Sequence, residues 1–178
     1  AAVVKAEADY ARAAAALSKA RAAAASRLDA AVAAELTPLK LDAARFRTRI
    51  TPLPQSEWGP EGQERLEYEI ATNPGADFAP LIKIASGGEL SRFILALKVA
   101  LASTGSAGTM IFDEIDRGVG GAVASAIGDR LARLAGEAQV LVVTHSPQVA
   151  ARGHSQWRIE KSVEDGSTRT SLAQLAPT

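Results

Sequence analysis

The sequence predicts an α/β fold, a mainly parallel sheet flanked by helices, preceded by a long helix of coiled-coil type. Three observations predict it. Two short apolar runs, Thr109-Met110-Ile111-Phe112 and residues 138–143 (Ala-Gln-Val-Leu-Val-Val), read as strands buried on both faces. Between them, residues 121–134 have the periodicity of an amphipathic helix, giving a right-handed strand–helix–strand crossover with parallel strands. The first 36 residues are dominated by Ala and contain no Gly or Pro.

Within that first helix, Val3, Ala6, Tyr10, Ala13, Leu17, Ala20 and Ala24 recur at alternating steps of three and four, a heptad seam. Steps of four then run through Leu28, Val32 and Leu36, which unwinds a supercoil locally. Small Ala knobs hold weakly, so the helix needs a partner. Thr37-Pro38 ends it, dividing a coiled-coil arm (1–38) from a head (39–178). Residues 45–53 and 65–71 alternate like half-exposed strands, and the Pro- and Gly-rich residues 52–62 join them as a hairpin with a long loop. Trp58 reads as the anchor of that loop. Arg45, Arg47 and Arg49 share one strand face, the pattern of a solvated surface. Residues 72–82 read as a loop, and the apolar run from Phe93 to Leu101 as a helix. Residues 155–161 and 168–175 form a closing hairpin with Asp165-Gly166 at its turn.

The chemistry concentrates at three places. Asp113 and Glu114 end the first apolar strand, and two successive charges cannot remain in an interior, so they sit at the rim of the sheet. Alternation along the strand makes them diverge. One can hold a divalent cation through water while the other deprotonates an attacking water, although two solvated acids would show the same pattern. Ser86, Gly87 and Gly88 precede the apolar helix and leave N–H groups bare at its positive end. That suits an anion, or equally an ordinary N-cap. Thr144-His145 follows the second apolar strand, so parallel pairing would bring His145 to the same rim.

In chain order these segments are Ser86-Gly87-Gly88-Glu89-Leu90-Ser91-Arg92, Ile111-Phe112-Asp113-Glu114, Ile115-Asp116-Arg117-Gly118-Val119-Gly120-Gly121 and Val142-Val143-Thr144-His145-Ser146-Pro147. They resemble the signature, Walker B, D-loop and switch-histidine motifs of the ATP-binding-cassette ATPases, specifically the SMC-like branch. The D-loop segment has the form of that branch's bacterial double-strand-break repair members, without the Pro-Thr-Ser of transporters. The resemblance covers roughly residues 17–175 and is most specific over 83–151. No Gly-x-x-x-x-Gly-Lys-[Ser/Thr] occurs in the chain, so the phosphate loop is missing. The resemblance therefore implies the C-terminal lobe of a split ATPase head with a coiled-coil stub, cut at both ends and inactive alone.

The same resemblance implies ATP and Mg²⁺ as cofactors. Asp113 would hold the metal, Glu114 would polarise the attacking water, and His145 would contact the γ-phosphate. Ser86, Gly87, Gly88 and Glu89 would meet ATP held by a second head of a homodimer, with Asp116 and residues 118–121 along the two-fold interface. Implied partners are the N-terminal lobe of the same head, the second head and double-stranded DNA ends. The alternatives are another SMC-like repair ATPase, a transporter nucleotide-binding domain (disfavoured by the coil and the Gly-Val-Gly-Gly loop) and a non-catalytic interaction module.

Composition sets bounds on all of these. With 178 residues and 47% apolar content, the chain can bury one core. Lys plus Arg and Asp plus Glu both number 20, so no global charge excess advertises nucleic acid. The absence of Cys excludes disulfides and thiolate metal sites and fits a reducing cytoplasm. No apolar run is long enough to span a bilayer, and the N-terminus shows no export pattern.

Overall fold

With no Gly or Pro to interrupt it, the Ala-rich segment forms one continuous helix, α1 (Ala2–Leu36). The computed structural model describes residues 2–81, 87–102, 108–164 and 167–176. Pro38 stops α1 in a short 3₁₀ turn, and Lys40, at φ 58°, closes that turn with its N–H donating to the Thr37 carbonyl at 3.0 Å.

Apart from half-buried Tyr10 the heptad seam of α1 is exposed, and the buried stripe runs beside it. Ala14 is buried where Ala13 is exposed, and Arg21 is half-buried where Ala20 is exposed. Its lower end, Val32 and Leu36, enters the core, whereas Val3 and Val4 face solvent. The cause is the long hairpin loop, which folds onto the helix. The Tyr10 hydroxyl donates to the carbonyls of Gly59 (3.1 Å) and Gly62 (3.2 Å), and its ring stacks on Trp58 at 6.1 Å. Trp58 is the loop's anchor, its indole N–H donating to the Leu53 carbonyl at 3.0 Å. Gly62 has φ 97°, and a Cβ there would meet Leu17 and Arg21 at 3.1 Å, so only glycine lets the loop lie so close.

Strands β1 (Arg45–Pro52) and β2 (Glu64–Ala71) pair antiparallel from Arg45↔Ala71 to Pro52↔Glu64. Within the expected 72–82 loop, the two-residue β3 (Ala79–Pro80) adds to β2. The arginine stripe is tied down. Arg47 and Arg49 donate to the two oxygens of buried Glu69 at 2.7 and 3.1 Å, and Arg47 lies 4.0 Å over the Phe78 ring. The Arg47 hydrogen bond, assisted by Arg49, holds the Glu69 carboxyl below the ordinary carboxylate range, against the opposing effect of burial. A depressed carboxyl adds stability above its unfolded value and loses it as pH falls through the lower folded one. The stability gap between wild type and Glu69→Gln, read by denaturant unfolding, should therefore be widest at neutral pH and narrow as pH falls below the ordinary glutamate value of about 4.3.

Helix α2 (Gly87–Leu101) is apolar on most sides and forms the middle of the core. Phe93, Leu95 and Ala96 are essentially inaccessible and pack with Leu39, Phe46 and Ile70. Met110 and Phe112 of β4 (Thr109–Asp113) join the same core, with Ala124, Ile127, Leu131 and Leu134 of α3 (Gly121–Ala135). Each such large side chain contributes roughly 1.5–3 kcal/mol of burial. Glu35 accepts from Arg130 at 2.7 Å and Arg133 at 3.0 Å, fastening α3 to the base of α1.

Strand β5 (Gln139–Val143) runs parallel to β4, from Thr109↔Gln139 to Asp113↔Val143, as expected for a strand–helix–strand unit. The expectation of burial on both faces fails. Met110 and Phe112 point inward, but Ile111 is 71% exposed, Leu141 49% and Val143 54%. No described element covers that second face. A short α4 (Pro147–Ala150) follows, then the hairpin of β6 (Trp157–Glu164) and β7 (Ser167–Gln174). This hairpin does not close onto the core. It is held at its base, where Leu175 N–H donates to Gln156 O at 2.8 Å and Gln156 Nε2 to Ala150 O at 3.0 Å. Trp157, Ile159, Val163 and Leu172, on one face of it, are all exposed. The expected Asp165-Gly166 turn lies outside the described residues.

Candidate functional site

Parallel pairing decides the geometry of the site. Because Asp113 is opposite Val143, the segments Asp113-Glu114 and Thr144-His145 leave the sheet on the same rim. Asp113, Glu114 and His145 are all exposed there. Glu114 has φ 52°, a left-handed conformation that costs a non-glycine residue about 1–3 kcal/mol and recurs at functional sites. That kink turns Glu114 outward, where Arg117 donates to its carboxylate at 3.0 Å, and sends Ile115 and Asp116 into the interior.

Asp116 therefore sits elsewhere than at an exposed interface. It is wholly inaccessible, and its Oδ2 accepts from the Thr144 hydroxyl and, at 3.2 Å, from the Ser146 N–H. The buried carboxylate binds the strand-end backbone that carries His145, so it faces inward rather than toward a nucleotide. Its Oδ1 lies 3.9 Å from His145 Nδ1.

Helix α2 begins at Gly87, so the two glycines form its first turn instead of an approach to it. Their N–H groups are among the four that no helical carbonyl can satisfy. Ser91 Oγ donates to the Gly87 carbonyl at 2.8 Å. A Cβ at Gly88 would stand 3.4 Å from the Arg117 carbonyl, whereas at Gly87 it would meet nothing within 4 Å. Ser86, the remaining member of the expected anion turn, lies outside the described residues.

A cleft of about 280 Å³ separates this helix start from the loop after β4, lined by Gly87, Gly88, Glu89, Arg92, Arg117 and Gly118. Arg92 is 7% exposed, and its Nε has no acceptor among the described residues. Burial pushes its guanidinium below the ordinary value, while nearby Glu89 raises it. The sequence reading gave Arg92 and Arg117 no role. The available signal was a lone arginine in the second turn of a helix otherwise apolar on that side. Together they give the cleft two cations and one acid, Glu89, beside the first N–H groups of the helix, an environment that can take phosphate.

Among the described residues, no group of three His, Asp or Glu side chains is placed to hold a metal. Asp113 and Glu114 offer carboxylate oxygens at the rim. That fits Mg²⁺, which takes one or two carboxylates and fills its remaining positions with water and substrate phosphates.

No family model matches the chain. Over 170 residues it is 46% identical to the DNA repair protein RecN of Streptomyces coelicolor, covering 90% of this chain and 30% of that protein. Over 116 residues it is 52% identical to the RecN of Xylella fastidiosa, covering 65% and 21% respectively. The chain thus spans less than a third of the length of these relatives. The Smc head domain of Pyrococcus yayanosii, solved with a coiled coil and joint, superposes with a TM-score of 0.58 at 24% identity, covering 85% of this chain and 27% of that one. That likeness establishes the fold.

Proposed function

We propose, from the premise that this is a RecN-like segment with the fold of an SMC head, that the chain is the C-terminal lobe of an ATPase head acting on DNA in double-strand-break repair. One observation carries the reading: the ends of two parallel strands deliver Asp113-Glu114 and Thr144-His145 to one rim, and Arg117 and Gly118 of the loop after Glu114 also wall the cleft at the start of α2. Similarity to RecN supplies the repair context.

In this reading Glu114 takes a proton from the water that attacks the γ-phosphorus, and its exposure at the rim gives that water access. His145 contacts the γ-phosphate. Gly87 and Gly88, with Ser86, cap the γ-phosphate of ATP presented by a second head, Glu89 belongs to the same nucleotide-binding segment, and residues 118–121 lie along the two-fold interface. Gly87 is open enough for such an approach: among the described residues, nothing lies within 4 Å of where its Cβ would stand. Asp113 holds Mg²⁺, which when bound neutralises phosphate charge.

The N-terminal lobe of the same head supplies the phosphate loop and covers the apolar face of Ile111, Leu141 and Val143, with the exposed side of the β6–β7 hairpin beside it. A two-stranded parallel sheet with one bare face is incomplete as it stands, since parallel sheets are covered on both sides. ATP closes two heads, hydrolysis reopens them, and the coiled-coil arms move in response around DNA. The place of action is the cytoplasm, at the nucleoid. Among the described residues no helix is long and apolar enough to cross a membrane.

Mixing this chain with the N-terminal segment of the same protein should restore ATP turnover that neither piece shows alone, and double-stranded DNA should raise it. A mixture that stays inactive while the two pieces associate would overturn the proposal, and turnover indifferent to DNA would remove its repair half.

A further inference from the structure

We infer that Asp116 is a positioning residue for His145: its buried carboxylate fixes which ring nitrogen carries the proton and turns the other nitrogen outward at the rim. The Oδ2 atom is satisfied by the Thr144 hydroxyl and the Ser146 N–H, the residues on either side of the histidine. The Oδ1 atom is buried with no donor among the described residues. A buried carboxylate oxygen without a donor is costly, and His145 Nδ1, which can carry a proton, lies 3.9 Å away. His145 is 77% exposed, so its ring can turn the remaining ångström without displacing packed neighbours. Both neighbours are held by the same carboxylate, Thr144 through its hydroxyl and Ser146 through its backbone N–H, which sets where the ring pivots.

The consequence is chemical. With Nδ1–H held by Asp116, Nε2 faces outward. A neutral ring then presents an acceptor, and a ring that gains a second proton presents a donor whose charge sits against a buried carboxylate. Use of the outward nitrogen on a γ-phosphate rests on the ATPase reading; the tautomer does not.

The chain contains only two histidines, His145 and His154, which makes the test direct. Nitrogen-15 spectra of this chain with labelled histidine, recorded at alkaline pH without nucleotide, should show His145 as the Nδ1–H form and His154 without that bias. In Asp116→Asn, the Thr144 and Ser146 donors keep the amide oxygen and leave its NH₂ toward the ring. His145 should then switch to the Nε2–H form, while His154 keeps its shifts and reports an intact fold. Wild-type His145 already in the Nε2–H form would overturn the inference even if the variant failed to fold, as would an unchanged tautomer in a folded variant. A chain that passes this test but whose mixture with the N-terminal segment never hydrolyses ATP would lose the ATPase reading and keep the dyad.

Discussion

In the full-length protein, Glu114→Gln should lower the proposed ATP turnover by at least about a hundredfold and leave ATP-dependent closure of the heads intact. The substitution keeps the size of the side chain and its hydrogen-bonding oxygen but removes the group that can accept a proton from water. Structural cost should be small. The side chain is 66% exposed, and its ion pair with Arg117, itself 71% exposed, is of the surface kind that contributes little. The left-handed backbone at 114 is held by Ile115 and Asp116 buried behind it, which the variant leaves in place. Turnover and closure must be measured on the same preparation, turnover by phosphate release and closure by a distance probe on the two heads. Loss of both would assign Glu114 to nucleotide binding, and unchanged turnover would remove it from the role of base.

The elements that the sequence made legible are those written by local chemistry. Pro38 marks the end of α1, the period of residues 121–134 marks α3, and the apolar runs around Ile111 and Leu141 mark β4 and β5. The site was legible to the same depth, because parallel strands ending in Asp113-Glu114 and Thr144-His145 share a rim wherever such a unit forms. What it could not show depends on distant partners. An apolar run says that something should cover each face, but not that the cover belongs to this chain, so Ile111, Leu141 and Val143 were expected to be buried. The side of α1 that packs on the head is chosen by Tyr10 and Arg21 through Gly59, Gly62 and Glu64, about fifty residues away, which local periodicity does not encode. The resemblance of its segment to the D-loop places Asp116 along an interface. The left-handed turn at Glu114 reverses that, and a positive φ at a non-glycine residue leaves no mark in the sequence.

That distinction between incomplete cover and incomplete folding yields the second large effect. Leu141→Lys should leave the unfolding of this chain within about 0.5 kcal/mol of wild type, because the side chain already faces water. Its association with the N-terminal segment should nevertheless weaken by roughly a hundredfold or more. Docking would bury the new ammonium opposite Ile111, its partner across β4 and β5, with no acid beside it. An uncompensated buried charge costs about 3–5 kcal/mol, and each 1.4 kcal/mol is tenfold in affinity. Phe112→Lys serves as the contrast, since Phe112 points into the core and its replacement should unfold the chain itself. Thermal melts of the isolated variants and binding measurements with the N-terminal segment separate the two cases. Undiminished binding by Leu141→Lys would mean that the lobe docks elsewhere and that this sheet face needs another occupant.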